Sequence, residues 1–194
     1  MGSENTKWQP VTISKARRSL IKNQSPKCIW ITGLSGAGKS TVGDRLEAEL
    51  HRIGKHTYVL DGDNLRHGLN SNLGFTLSDR AENVRRVAEV ARLMVDAGLV
   101  VVVCLISPQA KERAFARNLF EGDEFIEVFL DTPLAECERR DVKGLYAKAR
   151  KGEIKNFTGI DSKYEVPKDP ELHLYPHRQA VDECVNSILN LCIN

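Results

Sequence analysis

The chain has 194 residues, enough for one domain with a full hydrophobic core. Hydrophobic residues make up 41% and charged residues 28%, and 28 basic against 26 acidic side chains leave a formal charge of +2. So even a balance argues against a general nucleic-acid or membrane-surface binder, and an anionic ligand must be held by a few placed cations.

Residues 1–26 are polar, with a short amphipathic stretch from Ser14 to Ile21 and a break at Ser25-Pro26. They are expected to form an N-terminal arm packed on a single domain of residues 27–194. Cys28–Thr32 is a short apolar run leading into a glycine-rich turn, hence a first strand. Val42, Leu46, Leu50 and Ile53 recur on one helix face, which Gly54 closes. Tyr58–Leu60 is a second strand, ending at Asp61-Gly62-Asp63. Thr76 or Ser78 caps a long helix with Val84, Val87, Ala88, Ala91, Met94 and Val95 on its apolar face, stopped by Gly98. Val100–Leu105 is apolar throughout, as a strand buried on both faces of a parallel sheet must be. Phe125–Leu130 and Leu172–Leu174 supply two more strands, and Val181, Val185, Ile188 and Leu189 a closing helix. This alternation predicts a three-layer α/β fold with a mostly parallel sheet flanked by helices. Ligands of such sheets bind beyond the carboxyl ends of the strands, where every motif below falls.

Gly33-Leu34-Ser35-Gly36-Ala37-Gly38-Lys39-Ser40 matches G-x-x-x-x-G-K-[ST] and lies between a predicted strand and a predicted helix. Its glycines let successive amides turn inward as an anion nest, and the helix beginning near Gly38 adds its positive end. Lys39 reaches the β- and γ-phosphates, and the Ser40 hydroxyl joins a Mg²⁺ shell. This places the chain in the P-loop NTPase fold with ATP and Mg²⁺ as the expected ligands. No Asn-Lys-x-Asp base-reading motif of a GTPase follows.

Asp61-Gly62-Asp63-Asn64 falls at the same sheet edge. Its carboxylates suit Mg²⁺ and an attacking hydroxyl, although Asp, Gly and Asn are also ordinary turn formers. Arg66, Arg80 and Asn83 are candidates to clamp an anionic acceptor, since guanidinium groups grip phosphate or sulfate bidentately. Arg85, Arg86 and Arg92 read equally well as solvated charges. From Arg139 to Tyr164 the chain is rich in charge and glycine. That is either a solvated surface or a mobile lid, about 139–165, with Gly144, Gly152 and Gly159 as flexible points.

The phosphate loop through Thr41, the run Asp61-Gly62-Asp63-Asn64-Leu65-Arg66-His67-Gly68-Leu69-Asn70, and Arg80-Ala81-Glu82-Asn83 together resemble the adenylyl-sulfate kinase family. Ile106-Ser107-Pro108, Asp141–Tyr146 and Phe157-Thr158-Gly159-Ile160-Asp161 extend the resemblance, which runs from about Trp8 to the C-terminus. It implies transfer of the ATP γ-phosphoryl group to adenylyl sulfate. It implies ATP contacts from Gly33 to Thr41 and at Arg140, Mg²⁺ at Ser40 and Asp61, and catalytic parts for Lys39, Asp61, Asp63 and Ser107. For the acceptor it implies Asp63, Asn64, Arg66, Phe75, Arg80, Asn83, Ile106, Ser107, Lys143, Leu145 and Phe157, with Phe75 and Phe157 sandwiching the adenine. Core packing is the commoner fate of a phenylalanine, but Phe157 lies in a polar, glycine-bearing stretch with little core to join. The Ser107 hydroxyl is expected to face the acceptor pocket. Members of the family are sometimes given a phosphoserine there; in-line transfer needs no covalent step, and a substrate hydrogen bond or a helix N-cap accounts for the residue equally.

The resemblance further implies a homodimer, and 194 residues give no room for a fused sulfurylase domain, so any ATP sulfurylase is expected as a separate chain. Five scattered cysteines without a C-x-x-C pair, no apolar run long enough to span a bilayer, and a polar N-terminus unlike a signal peptide lead to the expectation of a cytoplasmic protein without disulfides. The rivals are a nucleoside monophosphate or gluconate kinase and a non-enzymatic nucleotide switch. The Asp-Gly-Asp-Asn-x-Arg run speaks against the first, and the acceptor-side carboxylates against the second.

Overall fold

Strand β1 (Lys27–Thr32) lies at the centre of the sheet, and its side chains alternate between two cores. Residue 7 and residues 9–193 are described by the computed structural model; Trp8, where the resemblance begins, and residues 1–6 of the arm lie outside the described residues. Among these, α1 (Lys15–Lys22) precedes β1, and then follow α2 (Lys39–Arg52), β2 (Thr57–Asp61), α3 (Gly62–Arg66) and α4 (Leu77–Asp96). The chain continues through β3 (Val100–Cys104), α5 (Ala110–Arg117), β4 (Phe125–Leu130), α6 (Leu134–Arg140), α7 (Leu145–Arg150), β5 (Leu172–Leu174) and α8 (Val181–Ile193). The sheet order is β2-β3-β1-β4-β5, and every pairing is parallel. β1 therefore has β3 on one side and β4 on the other, the arrangement that opens a ligand crevice at the carboxyl ends of the strands.

Ile29 and Ile31 of β1 pack with Val102, Val128, Leu46, Leu50 and Ile188 on the face covered by α2 and α8. Cys28 and Trp30 pack with Val101, Val103, Val84, Val87 and Ala91 on the face covered by α4. Both faces are thus buried, which is why β1 and β3 read as unbroken apolar runs.

The long helix is capped by Thr76 and not Ser78: Thr76 Oγ1 accepts from the Asp79 amide at 3.2 Å. Two residues placed on apolar helix faces turn out exposed, Ile53 at the C-cap of α2 and Val181 at the start of α8. Four helices escaped the periodicity argument for a physical reason. α3, α6 and α7 are too short for a repeat, and α5 buries Glu112 and Arg113, so its inward face is charged.

The arm follows the same logic of caps and local bonds. Ser14 Oγ accepts from the Arg17 amide at 3.3 Å, α1 rests on the end of α4 through the Arg18–Asp96 ion pair, and Gln24 Nε2 donates to the Gly98 carbonyl at 2.7 Å.

Candidate active site

The phosphate loop leaves β1 and enters α2. Gly33 has φ +151°, and a Cβ there would stand 2.7 Å from the Leu130 carbonyl oxygen, so only glycine allows the loop to pass this close to β4. Gly38, at φ +104°, turns the chain into a helix whose first residues are Lys39, Ser40 and Thr41. The unpaired first-turn amides and the helix dipole therefore converge on the loop. Thr132 Oγ1, just past the end of β4, braces it by donating to the Ala37 carbonyl at 3.0 Å. Lys39 Nζ donates to the carbonyls of Gly33 (2.9 Å) and Leu34 (2.7 Å). Burial pushes the Lys39 pKa down to about 8, against opposing pulls from Cys104, Cys137, Asp61 and Asp63.

β2 delivers Asp61 to the same edge. Asp61 Oδ1 caps α3 by accepting from the amides of Asp63 (2.9 Å) and Asn64 (3.4 Å), while Oδ2 accepts from Ser40 Oγ at 2.6 Å. The segment is a turn and a functional link at once. One carboxylate joins the loop after β2 to the first turn of α2, bringing two hard oxygen donors together. Among the described residues no group of three or more His, Cys, Asp or Glu could cage a metal. The donor set suits Mg²⁺, which keeps several waters and completes its shell from phosphates.

Opposite stand the groups expected to hold an acceptor. Phe75 is 57% exposed, with the Arg66 guanidinium 4.3 Å above its ring. Arg66 Nη1 donates to the carbonyls of Leu73 and Gly74, both at 3.1 Å. Arg80 is buried and splits its fork three ways, from Nε to the Phe75 carbonyl (3.0 Å), Nη1 to Thr158 Oγ1 (2.9 Å) and Nη2 to the Asn156 carbonyl (2.7 Å). Asn83 Oδ1 accepts from buried Asn70 at 3.0 Å, which turns the Asn83 N–H donors away from that bond. Arg85 and Arg86 pair with Glu82, and Arg92 with Glu89, in keeping with surface charges.

Two expectations about surroundings need correction: that Phe157 has little core to join, and that the Ser107 hydroxyl faces the pocket. Phe157 is only 8% exposed and belongs to the core beneath the segment, edge-on to Tyr146 at 5.0 Å. Its polar neighbours concealed this, because α7 supplies the missing apolar partners. Ser107 is 2% exposed, and its hydroxyl turns into the sheet and not the pocket, accepting from Trp30 Nε1 at 3.1 Å and donating to Thr32 Oγ1 at 2.9 Å. Nor does it cap a helix, since Gln109 is the N-cap of α5. Ser107 holds φ +38°, an unusual backbone for a non-glycine residue. Ile106 is held alongside, its carbonyl accepting from Thr32 Oγ1 at 2.7 Å.

The charged segment lies over both halves of the site. Lys143 forms an ion pair with Asp63, and Tyr146 OH donates to the Ser35 carbonyl in the phosphate loop at 2.9 Å. Asp141 fixes the start of α7 by accepting from the amides of Tyr146 and Ala147, both at 3.0 Å. Leu145 packs half-buried against the core. Arg140 Nε pairs with Glu136 at 2.8 Å. Tyr146, Thr32 and Trp30 were not singled out for function from sequence; a lone aromatic inside a charge run was the available signal for Tyr146.

A loose phosphoryl-transfer transition state asks a protein for positioning and charge more than for covalent chemistry. An all-parallel sheet with a phosphate loop after its central strand and a carboxylate loop after β2, one strand removed beyond β3, places the chain among P-loop kinases. Residues 25–175 match the model of the adenylylsulphate kinases, and the chain belongs to that family.

Three relatives bear this out. An adenylyl-sulfate kinase of Marinobacter nauticus is 56% identical over 185 residues, covering 95% of this chain and 93% of the relative. A solved structure of Mycobacterium tuberculosis APS kinase in complex with AMPPNP and APS superposes with a TM-score of 0.85 at 54% identity, covering 88% of this chain and 99% of that one. A bifunctional enzyme CysN/CysC of Xylella fastidiosa is 58% identical over 97% of this chain, and the chain spans 30% of that protein's length.

Proposed function

We propose that this chain transfers the γ-phosphoryl group of ATP to the 3′-hydroxyl of adenylyl sulfate, giving 3′-phosphoadenylyl sulfate and ADP in sulfate activation. The observation that carries the reading is the Ser40–Asp61 contact, which joins a donor loop to an acceptor loop at 2.6 Å. The amides of Gly33–Thr41 and the Lys39 ammonium grip the donor phosphates, with Arg140 contributing from the lid. Ser40 and Asp61 would hold Mg²⁺, which neutralises charge on the phosphates when bound. Asp63 orients the acceptor hydroxyl and takes its proton as the new P–O bond forms and the bond to the ADP oxygen breaks. Lys143, paired with Asp63, supplies a cation beside that exchange.

Phe75 and Phe157 flank the adenine. Arg66, Arg80 and Asn83 face the phosphosulfate, and Asn64, Ile106, Leu145 and the Ser107 backbone complete the pocket. Residues 139–165 act as the lid of a kinase domain of residues 27–194, with 1–26 as an arm. We also propose a cytoplasmic homodimer that works with an ATP sulfurylase. The five free cysteines fit a reducing compartment, and no described helix is long and apolar enough to cross a membrane.

The test is product analysis with labelled ATP, Mg²⁺ and adenylyl sulfate, AMP or gluconate in parallel. A doubly phosphorylated adenosine product from adenylyl sulfate alone supports the reading; preference for AMP or gluconate sinks it.

Two further outcomes are expected. The protonated form of Lys39 is the one that grips phosphate, and kcat/KM reports the free enzyme. Hence kcat/KM for ATP should fall about tenfold per unit above pH 8, while kcat holds to higher pH because bound phosphate favours the ammonium. A kcat/KM flat to high pH would detach Lys39 from the donor. The two phenylalanines should separate. Phe75→Ala should raise the acceptor KM through about 1–3 kcal/mol of lost stacking, with little change in thermal midpoint because the ring is exposed. Phe157→Ala should do the same and also destabilise by about 3–5 kcal/mol, because it empties core volume.

A further inference from the structure

Glu127 on β4 is a buried charge on the face of the sheet toward α5. Arg113 of α5 is buried beside it, with Nε 2.8 Å from Glu127 Oε1. Arg117 approaches Glu127 from behind at 3.3 Å and forks onto Glu171, whose carboxylate also accepts from the Glu127 amide at 2.6 Å. A pair removed from water this thoroughly is poor evidence of stability, since apolar residues of similar volume often do as well.

Its remaining bonds show a more specific use. Arg113 Nη1 donates to the Ser107 carbonyl at 2.8 Å, and Nη2 to the Glu165 carbonyl at 2.7 Å. Ser107 belongs to the acceptor floor and holds a positive φ; Glu165 stands where the lid rejoins the domain. Glu165 is itself fastened twice more to the same stretch. Its amide donates to the Pro108 carbonyl at 2.8 Å, and its carboxylate accepts from the Ala110 amide at 2.8 Å, capping an α5 whose own N-cap, Gln109, makes no side-chain bond. Tyr164 adds a bond to Thr32 Oγ1 at 2.9 Å and lies under the Arg113 guanidinium at 5.7 Å.

We infer that Arg113 is a positioning residue of the transfer reaction: its planar fork welds the carboxyl-terminal root of the lid to the Ile106–Pro108 floor of the acceptor pocket. The root and the floor then keep one alignment with Asp61 and Asp63 while the rest of the lid opens. A guanidinium is required, because two carbonyls and a carboxylate must be met at fixed angles from one side chain. The inference rests on the adenylyl-sulfate assignment above for its kinetic part only.

The test uses Arg113→Lys, which keeps the charge on Glu127 but not the fork, and the double variant Arg113→Met with Glu127→Leu, which removes the buried pair as a unit. Acceptor kcat/KM is expected to fall roughly 10²-fold in both, with the ATP KM within about twofold of wild type, since floor and lid root are misplaced by a fraction of a side chain. Amide hydrogen exchange in residues 157–166 of the substrate-free protein should quicken in both. A role limited to neutralising Glu127 predicts that lysine suffices. Wild-type acceptor kinetics in Arg113→Lys, or unchanged exchange in that segment, overturns the inference. Should the double variant fail to fold, Arg113→Lys decides alone. Failure of the wild-type chain to phosphorylate adenylyl sulfate would instead sink the acceptor assignment, and the exchange result would still stand or fall by itself.

Discussion

Lys39→Ala is expected to lower kcat by about 10²–10³-fold or more, because it removes a placed cation from the charge that develops on the transferring group. The structure adds that the loss should leave the fold intact. The Lys39 ammonium is partly buried in the loop, and burial lowers its pKa, so alanine removes a cost of burial along with two bonds to the loop carbonyls. Coupled ADP release and a thermal scan check both halves. Near-normal turnover would refute the phosphate contact, and a collapsed midpoint would show that the lysine is mainly structural.

Arg80→Ala should be nearly as damaging to the acceptor while sparing the donor. The guanidinium ties the Phe75 carbonyl to Asn156 and Thr158, the residues on either side of Phe157. One side chain therefore sets the gap between the two rings proposed to hold the adenine, besides its own proposed contact with the phosphosulfate. Hydrogen bonds from a charged donor are worth about 1.5–3 kcal/mol each. Their loss should drop acceptor kcat/KM about 10²-fold or more with little change in the ATP KM. Arg80→Lys should recover little, since an ammonium cannot span three separated acceptors. Varying each substrate in turn measures this; a change confined to ATP would put the arginine on the wrong side of the site.

The sequence was most informative where the chemistry is local. The spacing of Gly33, Gly36, Gly38, Lys39 and Ser40 dictates its own backbone, and the loop and helix α2 appear where they were expected. The apolar runs of β1, β3 and β4 likewise declare a sheet covered on both faces. Legibility ended where a residue's environment comes from a distant part of the chain. Phe157 looked isolated until Tyr146 and the core beneath it were in place. Ser107 looked available until its hydroxyl was found bonded to Trp30, 77 positions earlier. α5 has no apolar stripe because Arg113 meets Glu127, a pairing no periodicity reveals. The pairing of Arg140 with Glu136 one turn earlier was likewise not read from the charge run.

The inward turn of the Ser107 hydroxyl bears on stereochemistry. To carry a phosphate ester, that oxygen would have to abandon an indole and a threonine and bring two negative charges out past a sheet packed with valine and isoleucine. Its hydroxyl partners among the described residues, Trp30 Nε1 and Thr32 Oγ1, are not bases. A single backside displacement between the two nucleotides avoids that detour, so the migrating phosphorus should arrive with its handedness inverted.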